Sequence, residues 1–206
     1  MAGSSSDPVT TGAHRLDGKH IGNNMDEVLA RSEMIHSPGA VQTALDRMAR
    51  NIDESMARSD PVLLAVMTGG MVPAVWLSSR LNFPHQMDYV HATRYVGGTR
   101  GGQLAWRARP GNDLEGRAVL VVDDILDEGI TLRAIVDYCR QAGAREVRVA
   151  VLVQKRHDRN LTGLVPDFKG LDVPDRYVFG CGMDYREYFR NLPAIYALTS
   201  REDEDP

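Results

Sequence analysis

The chain has 206 residues and sets 24 Lys and Arg against 28 Asp and Glu, a formal charge of −4, with a pI near 5.9. That balance, without a basic stripe, argues against nucleic acid as a partner, and no apolar run approaches the roughly 18 residues of a membrane-crossing helix. The length suits one domain with a sizeable core, or one domain and a small subdomain.

Residues 1–22 are rich in Gly, Ser, Thr and Asp, carry no signal-peptide core, and read as a disordered tail. Met25 to Ile35 and Ala40 to Met56 read as helices, the second with an apolar stripe of Val41, Ala44, Leu45, Met48 and Ile52. An apolar strand from Val62 to Val66 then runs through Met67 and Thr68 into Gly69 and Gly70, a pair that an ordinary strand-to-helix turn would also explain. Met71 to Leu81 reads as the following helix, with Pro73 in its first turn. Between Tyr89 and Gln103 four glycines fall within six positions, and Gln103 to Arg107 reads as a returning strand. The segment is either a mobile lid or a plain hairpin.

The most informative stretch lies between Val119 and Leu132. Val119 to Val122 is a short, continuous, β-branched-rich run, the pattern of a central parallel strand. It ends in Asp123 and Asp124, followed by Asp127, Glu128, Gly129, Ile130 and Thr131. Successive strand side chains face opposite sides, so the acid pair cannot both enter a core. From Thr131 a helix begins, because Leu132, Ile135, Val136 and Cys139 recur at helical spacing and Gly143 stands where a C-terminal cap belongs. The turn from Asp127 to Thr131 therefore offers unpaired helix N-terminal N–H groups to an anion such as phosphate. Asp123 and Asp124 suit the vicinal hydroxyls of a sugar, so a phosphorylated ribose fits both halves. Asp-rich strand ends also hold Mg²⁺ in phosphatases and response-regulator-like domains, and helix capping accounts for one acid but not four.

Val147 to Val153 is the next strand and makes residues 119–153 a parallel strand–helix–strand unit. Lys155 leaves that strand at its carboxyl end, where such sheets bind ligands; alone it would read as a solvated edge charge. The stretch from Val173 to Arg190 gathers Tyr177, Tyr185, Tyr188 and Phe189, of which the last three suit a small aromatic core. Cys139 and Cys181 lack metal-ligand spacing and fit reduced thiols in a cytosol. Residues 201–206 form a short acidic tail.

The Val119–Leu132 stretch resembles the phosphoribosyl-pyrophosphate (PRPP) signature of type I phosphoribosyltransferases. Segments around Gly69, Tyr95, Lys155 and Tyr177 resemble the hypoxanthine-guanine branch, particularly a bacterial subgroup. The likeness runs from about Pro61 to Leu198, roughly two-thirds of the chain. It implies an α/β fold with a mainly parallel central sheet flanked by helices, occupying residues 23–200. A small hood would come from the N-terminal helices and residues from about 165 to 198.

The resemblance also implies roles. Asp123, Asp124, Asp127, Glu128, Gly129, Ile130 and Thr131 would hold the ribose and 5′-phosphate of PRPP, with Asp127 as general base or proton partner at purine N7. Thr68, Gly69 and Arg190 would meet pyrophosphate, in a loop that often carries a cis peptide before its glycines. Thr68 stands where many members have Lys or Arg, which leaves the backbone N–H groups. Arg94 and Tyr95 occupy the lid's Ser-Tyr positions, and Arg94 is either a pyrophosphate contact or solvated. Lys155 would read O6 of the base, Tyr177 would stack on it where Phe is more usual, and Val178 would meet it through the backbone. Asp184 would belong to the purine site and corresponds to a carboxylate near the second Mg²⁺, with Asp123 and Asp124 as further Mg²⁺ candidates. Glu128, where Thr is frequent, would turn its side chain to solvent. The activity implied is transfer of 5-phosphoribosyl from PRPP to N9 of hypoxanthine or guanine in the cytoplasm, by a homo-oligomer (dimer or tetramer). Another acceptor base, xanthine first, and a PRPP sensor without turnover are the alternatives.

Overall fold

Val62, Leu63, Leu64, Ala65 and Val66 are all buried, as a strand covered on both faces requires. In the computed structural model, which describes residues 25–94, 104–157, 159 and 162–199, they form β2 (Val62–Val66) at the middle of a six-stranded sheet. Its other members are β3 (Gln86–Arg94), β4 (Leu104–Ala108), β5 (Ala118–Leu126), β6 (Glu146–Lys155) and β7 (Phe168–Val173), in the order β4-β3-β2-β5-β6-β7. All neighbours are parallel except β3 and β4, so the fold is α/β with a mainly parallel central sheet.

The period-two alternation of the strands divides the core in two. Leu63, Leu120, Val122 and Leu152 face α2 (Pro38–Met56) and α3 (Met71–Ser78), joining Val41, Leu45, Met48, Ile52 and Leu77 in one cluster. Val62, Leu64, Val119, Val121 and Val151 face α4 (Ile130–Gln141), which contributes Leu132, Ile135, Val136 and Cys139. Local signals account for two of the helix ends, whereas α3 stops at Ser78, short of the expected Leu81. Ser37 caps α2, its hydroxyl accepting from the Ala40 N–H at 3.3 Å, and Pro38 opens the first turn. Beyond α4 the Ala144 N–H donates to the Cys139 carbonyl at 3.1 Å, with Gly143 between them as expected.

A second, three-stranded antiparallel sheet pairs β1 (Ser32–His36) with β9 (Ile195–Leu198), and β9 with β8 (Val178–Phe179). Arg176 fastens it, donating to the Leu198 carbonyl at 2.6 Å and to Glu33 at 2.6 Å. Two expectations are corrected here. The helix expected from Met25 to Ile35 stops after one and a half turns as α1 (Met25–Ala30), and Ser32–His36 is a strand instead. The cause is long-range, since Ser32 pairs with Leu198 at the other end of the chain. Phe168–Val173, expected in the hood, is the edge strand of the main sheet, its Phe168 and Val173 side chains buried in the core shared with α2. The tails at 1–22 and 201–206, Tyr95, the glycines up to Gln103 and the Arg94 side chain lie outside the described residues. Among those described, no helix is long and apolar enough to cross a membrane.

Candidate active site

β5 outruns its neighbour. Pairing with β2 ends at Ala65 and Val122, whereas pairing with β6 continues to Leu126 and Gln154. The strand therefore extends past Val122, where the sequence pattern ended it, and carries Asp123 and Asp124 beyond the edge of β2. The loop after β2 occupies the space left open. A Cβ on Gly69 would lie 1.8 Å from Asp124 Oδ2, so only glycine lets the loop approach the carboxylate this closely. A Cβ on Gly182, from the segment between β8 and β9, would in turn lie 2.3 Å from the Gly69 carbonyl oxygen. Three distant segments thus meet at Asp124. The Met67–Thr68 peptide of this loop is cis.

A cleft of about 280 Å³ opens at this end of the sheet. Asp123, Asp124, Asp127, Glu128, Gly129, Ile130, Thr131, Gly69 and Arg190 all line it. Gly129 adopts φ 78° immediately before α4, a conformation that glycine takes without strain and that swings the chain into the helix. The first α4 N–H groups lack intrahelical acceptors and belong to this end of the cleft. Thr68 is exposed and does not contribute to the lining. Glu128 is half-buried at the rim of the cleft.

A second cleft of about 180 Å³ adjoins the first and shares Asp124, Ile125 and Asp127 with it. It is completed by Lys155, Tyr177, Val178, Asp184 and Met183. The candidate base-binding residues, drawn from two separate stretches of sequence, are therefore brought together. Tyr177 stands edge-on to Tyr185, with ring centroids 5.8 Å apart. Tyr185 and Phe189 are buried behind it around Phe179, a residue the sequence did not single out, while Tyr188 is exposed and is not core.

Asp127 sits where the clefts join, and two donors hold it. Lys155 Nζ lies 3.0 Å from Oδ2 and His157 Nε2 lies 2.6 Å from Oδ1. Burial alone would push this carboxyl up, but Lys155 and His157 together hold it below the ordinary carboxylate value. His157 was not anticipated. It lies two residues beyond the end of β6, where no periodicity in the sequence marks it.

Asp123 and Asp124 behave differently. Burial pushes both carboxyls up, and the neighbouring Asp124 charge raises Asp123 further. The Asp124 and Ile125 N–H groups donate to them at 2.9 and 2.8 Å, and Arg190 supplies a nearby positive charge to Asp124. Two crowded carboxylates, Asp124 buried and Asp123 half-buried, suit a cation. Asp184 is engaged otherwise, accepting from Arg190 at 2.6 Å and from the Glu187 N–H at 2.8 Å, while Arg190 also donates to the Gly182 carbonyl. The Asp184–Arg190 pair joins the two clefts, since each residue lines one of them. Among the described residues no three His, Cys, Asp or Glu side chains converge as a metal cage. Mg²⁺ is commonly held by one or two carboxylates and completed by substrate oxygens and water, and the acid pair has the chemistry for that role. Burial raises the Cys139 thiol to about 11 and the Cys181 thiol to about 12, so neither is a nucleophile at neutral pH.

These features define an α/β protein with two adjoining clefts at the carboxyl end of its sheet, one of them at the start of a helix. Comparison with known proteins gives the same class. The family model described as "Phosphoribosyl transferase domain" matches residues 31–185. The hypoxanthine-guanine phosphoribosyltransferase of Homo sapiens is 32% identical over 196 residues, covering 89% of this chain and 88% of that protein. That of Mus musculus is 31% identical over the same coverage. Among solved structures, a hypoxanthine phosphoribosyltransferase from Staphylococcus aureus superposes with a TM-score of 0.78 at 24% identity, over 84% of this chain and 94% of that one. A hypoxanthine-guanine-xanthine phosphoribosyltransferase gives 0.74 at 26% identity, over 82% and 97%. The chain belongs to the type I phosphoribosyltransferase family.

Proposed function

We propose that the protein is a purine-salvage enzyme that transfers the 5-phosphoribosyl group of PRPP to N9 of hypoxanthine or guanine, giving IMP or GMP and pyrophosphate. The observation that carries this reading is the pair of adjoining clefts with Asp127 common to both and Lys155 in the second. The first takes the phosphoribosyl group and the second takes the base.

Each residue then has a task. The N–H groups from Glu128 to Thr131 receive the 5′-phosphate at the start of α4. Asp123 and Asp124 hold the ribose hydroxyls. Gly69 presents its backbone to pyrophosphate, with Arg190 as the nearby cation and Thr68 limited to its main chain. Lys155 is a donor only, so it accepts a base with a carbonyl at C6 and leaves an amine unpaired. Tyr177 stacks on the ring, a contact worth about 1–3 kcal/mol, and Val178 meets its edge through the backbone. Asp127 takes or shares the N7 proton as the bond to N9 forms. Mg²⁺ fits Asp123 and Asp124, with Asp184 nearby, and when bound with PRPP it offsets the negative charge growing on pyrophosphate. Residues 23–200 act as one catalytic domain, with the small sheet as a hood over the base. The inert, unpaired thiols agree with a cytoplasmic setting, and a homo-oligomer is the expected assembly.

Lys155 contacts O6 alone, so it separates 6-oxopurines from adenine but not hypoxanthine, guanine and xanthine from one another. Product binding tests the readout. IMP or GMP at a hundredfold excess over its Kd should stabilise the fold by about 2.7 kcal/mol, a rise of roughly 5–10 °C in Tm. AMP at the same concentration should give little. Equal shifts with AMP and IMP would remove Lys155 as the base-reading group.

A further inference from the structure

We propose that His157 is a positioning residue for Asp127, anchoring one carboxylate oxygen while Lys155 turns from the other to the base. The inference rests on the transfer reaction proposed above and assigns a task to a side chain which that reading does not use.

The hydrogen bonds fix the ring's chemistry. The Arg159 N–H donates to His157 Nδ1 at 2.9 Å, so Nδ1 is an acceptor and carries no proton. A neutral ring accepting at Nδ1 has its proton on Nε2, and Nε2 lies 2.6 Å from Asp127 Oδ1. His157 therefore donates to Asp127 by necessity. Its side chain is only 6% exposed, against 40% for Asp127, so the protein shields the anchored side of the carboxylate and leaves the other open to the clefts.

Lys155 cannot serve as the permanent anchor, because it has two claims on it. Its Nζ lies 3.0 Å from Asp127 Oδ2, yet it also lines the cleft that takes the base. A 6-oxopurine draws the ammonium toward its carbonyl and frees Oδ2 to face the ring. Without a second donor, Asp127 would then rotate about its side-chain torsions at the moment it must meet N7. With His157 in place, Oδ1 stays fixed and Oδ2 is presented. Holding a reacting group in one orientation is where such neighbours act.

The other charged groups around Asp127 do not duplicate this bond. Glu128 follows it in the chain and adds like charge. Arg159 is paired with Asp175 at 2.6 Å, and Asp184, across the base cleft, is paired with Arg190. Among the described residues, Lys155 and His157 hydrogen-bond to the Asp127 carboxylate. The bond favours the ionised carboxylate, so its loss raises the Asp127 carboxyl and moves the acidic limb of kcat/KM to higher pH.

The test compares His157→Ala and His157→Gln with the wild-type enzyme in steady-state kinetics with PRPP, Mg²⁺ and hypoxanthine. His157→Ala should lower kcat roughly 10–100-fold, the span for groups that orient a reacting residue, with little change in KM for PRPP. Its acidic limb should move upward in pH. His157→Gln, whose amide N–H can occupy the Nε2 position, should recover most of kcat and return the limb toward wild type. An Ala variant with wild-type kcat and pH profile overturns the proposal, and so do equal losses in both variants with an unmoved profile. The ¹⁵N resonances of His157 in the unliganded wild-type protein decide independently of turnover or of variant folding. A neutral, Nε2-protonated ring is expected, and an Nδ1-protonated ring contradicts the anchor. A wild-type protein without turnover would count against the reaction itself, and the tautomer would still decide the role of His157.

Discussion

Asp127→Asn is expected to lower kcat about 10²–10⁴-fold, the span for a positioned acid–base group. The substitution keeps the shape of the side chain and removes what the site needs from it. Asp127 accepts from Lys155 on one oxygen and from His157 on the other. An amide has one acceptor and one N–H₂ group, so one of these two donors must face another donor. The variant thus loses proton-accepting capacity and half of its anchoring together, while the phosphate turn from Glu128 to Thr131 retains its backbone. The loss should therefore fall on kcat far more than on KM for PRPP, in a comparison of steady-state constants across PRPP concentrations. A variant with unchanged kcat would take Asp127 out of the mechanism.

Gly69→Ala is the second large effect. The added methyl would sit 1.8 Å from Asp124 Oδ2, far inside contact distance. One partner must move. The Asp124 carboxylate lies in the shared wall of both clefts, and the Gly69 carbonyl is pressed against Gly182 on its other side. The loop is therefore crowded on two sides, and a displacement of about 1 Å at a substrate-positioning group lowers rates on the order of 10²-fold. We expect that loss in kcat/KM for PRPP, together with a destabilisation of about 1–3 kcal/mol from overpacking. Wild-type kcat/KM for PRPP in a folded variant would mean that the loop does not depend on this close approach.

The contrast between these residues explains what the sequence could reveal. The acid pair, the turn at Gly129 and the stripe of Leu132, Ile135, Val136 and Cys139 are consecutive, so their periodicity and chemistry are legible together. β2 and β5 were legible because burial on both faces leaves an unbroken apolar run. β1 was not, because Ser32–His36 becomes a strand only by pairing with β9 at the far end of the chain. Likewise, Phe168–Val173 joins the main sheet through β6 and not through anything in its own pattern.

Within the site, Lys155, Tyr177, Val178 and Asp184 were picked out through likeness to a family, and their convergence is a property of the fold. Two details lay beyond either route. The engagement of Asp184 with Arg190 depends on the tight loop that brings Arg190 against Gly182. The contact between His157 and Asp127 depends on how far β6 runs before the chain turns.

The central claim is that one site joins PRPP to a 6-oxopurine, and pyrophosphate release measures it most directly. The purified protein would be given PRPP and Mg²⁺ with hypoxanthine, guanine, xanthine, adenine or uracil in separate reactions. Turnover with hypoxanthine or guanine, and none with adenine or uracil, is the predicted result. Release with adenine or uracil, or PRPP binding without release for any base, would contradict it.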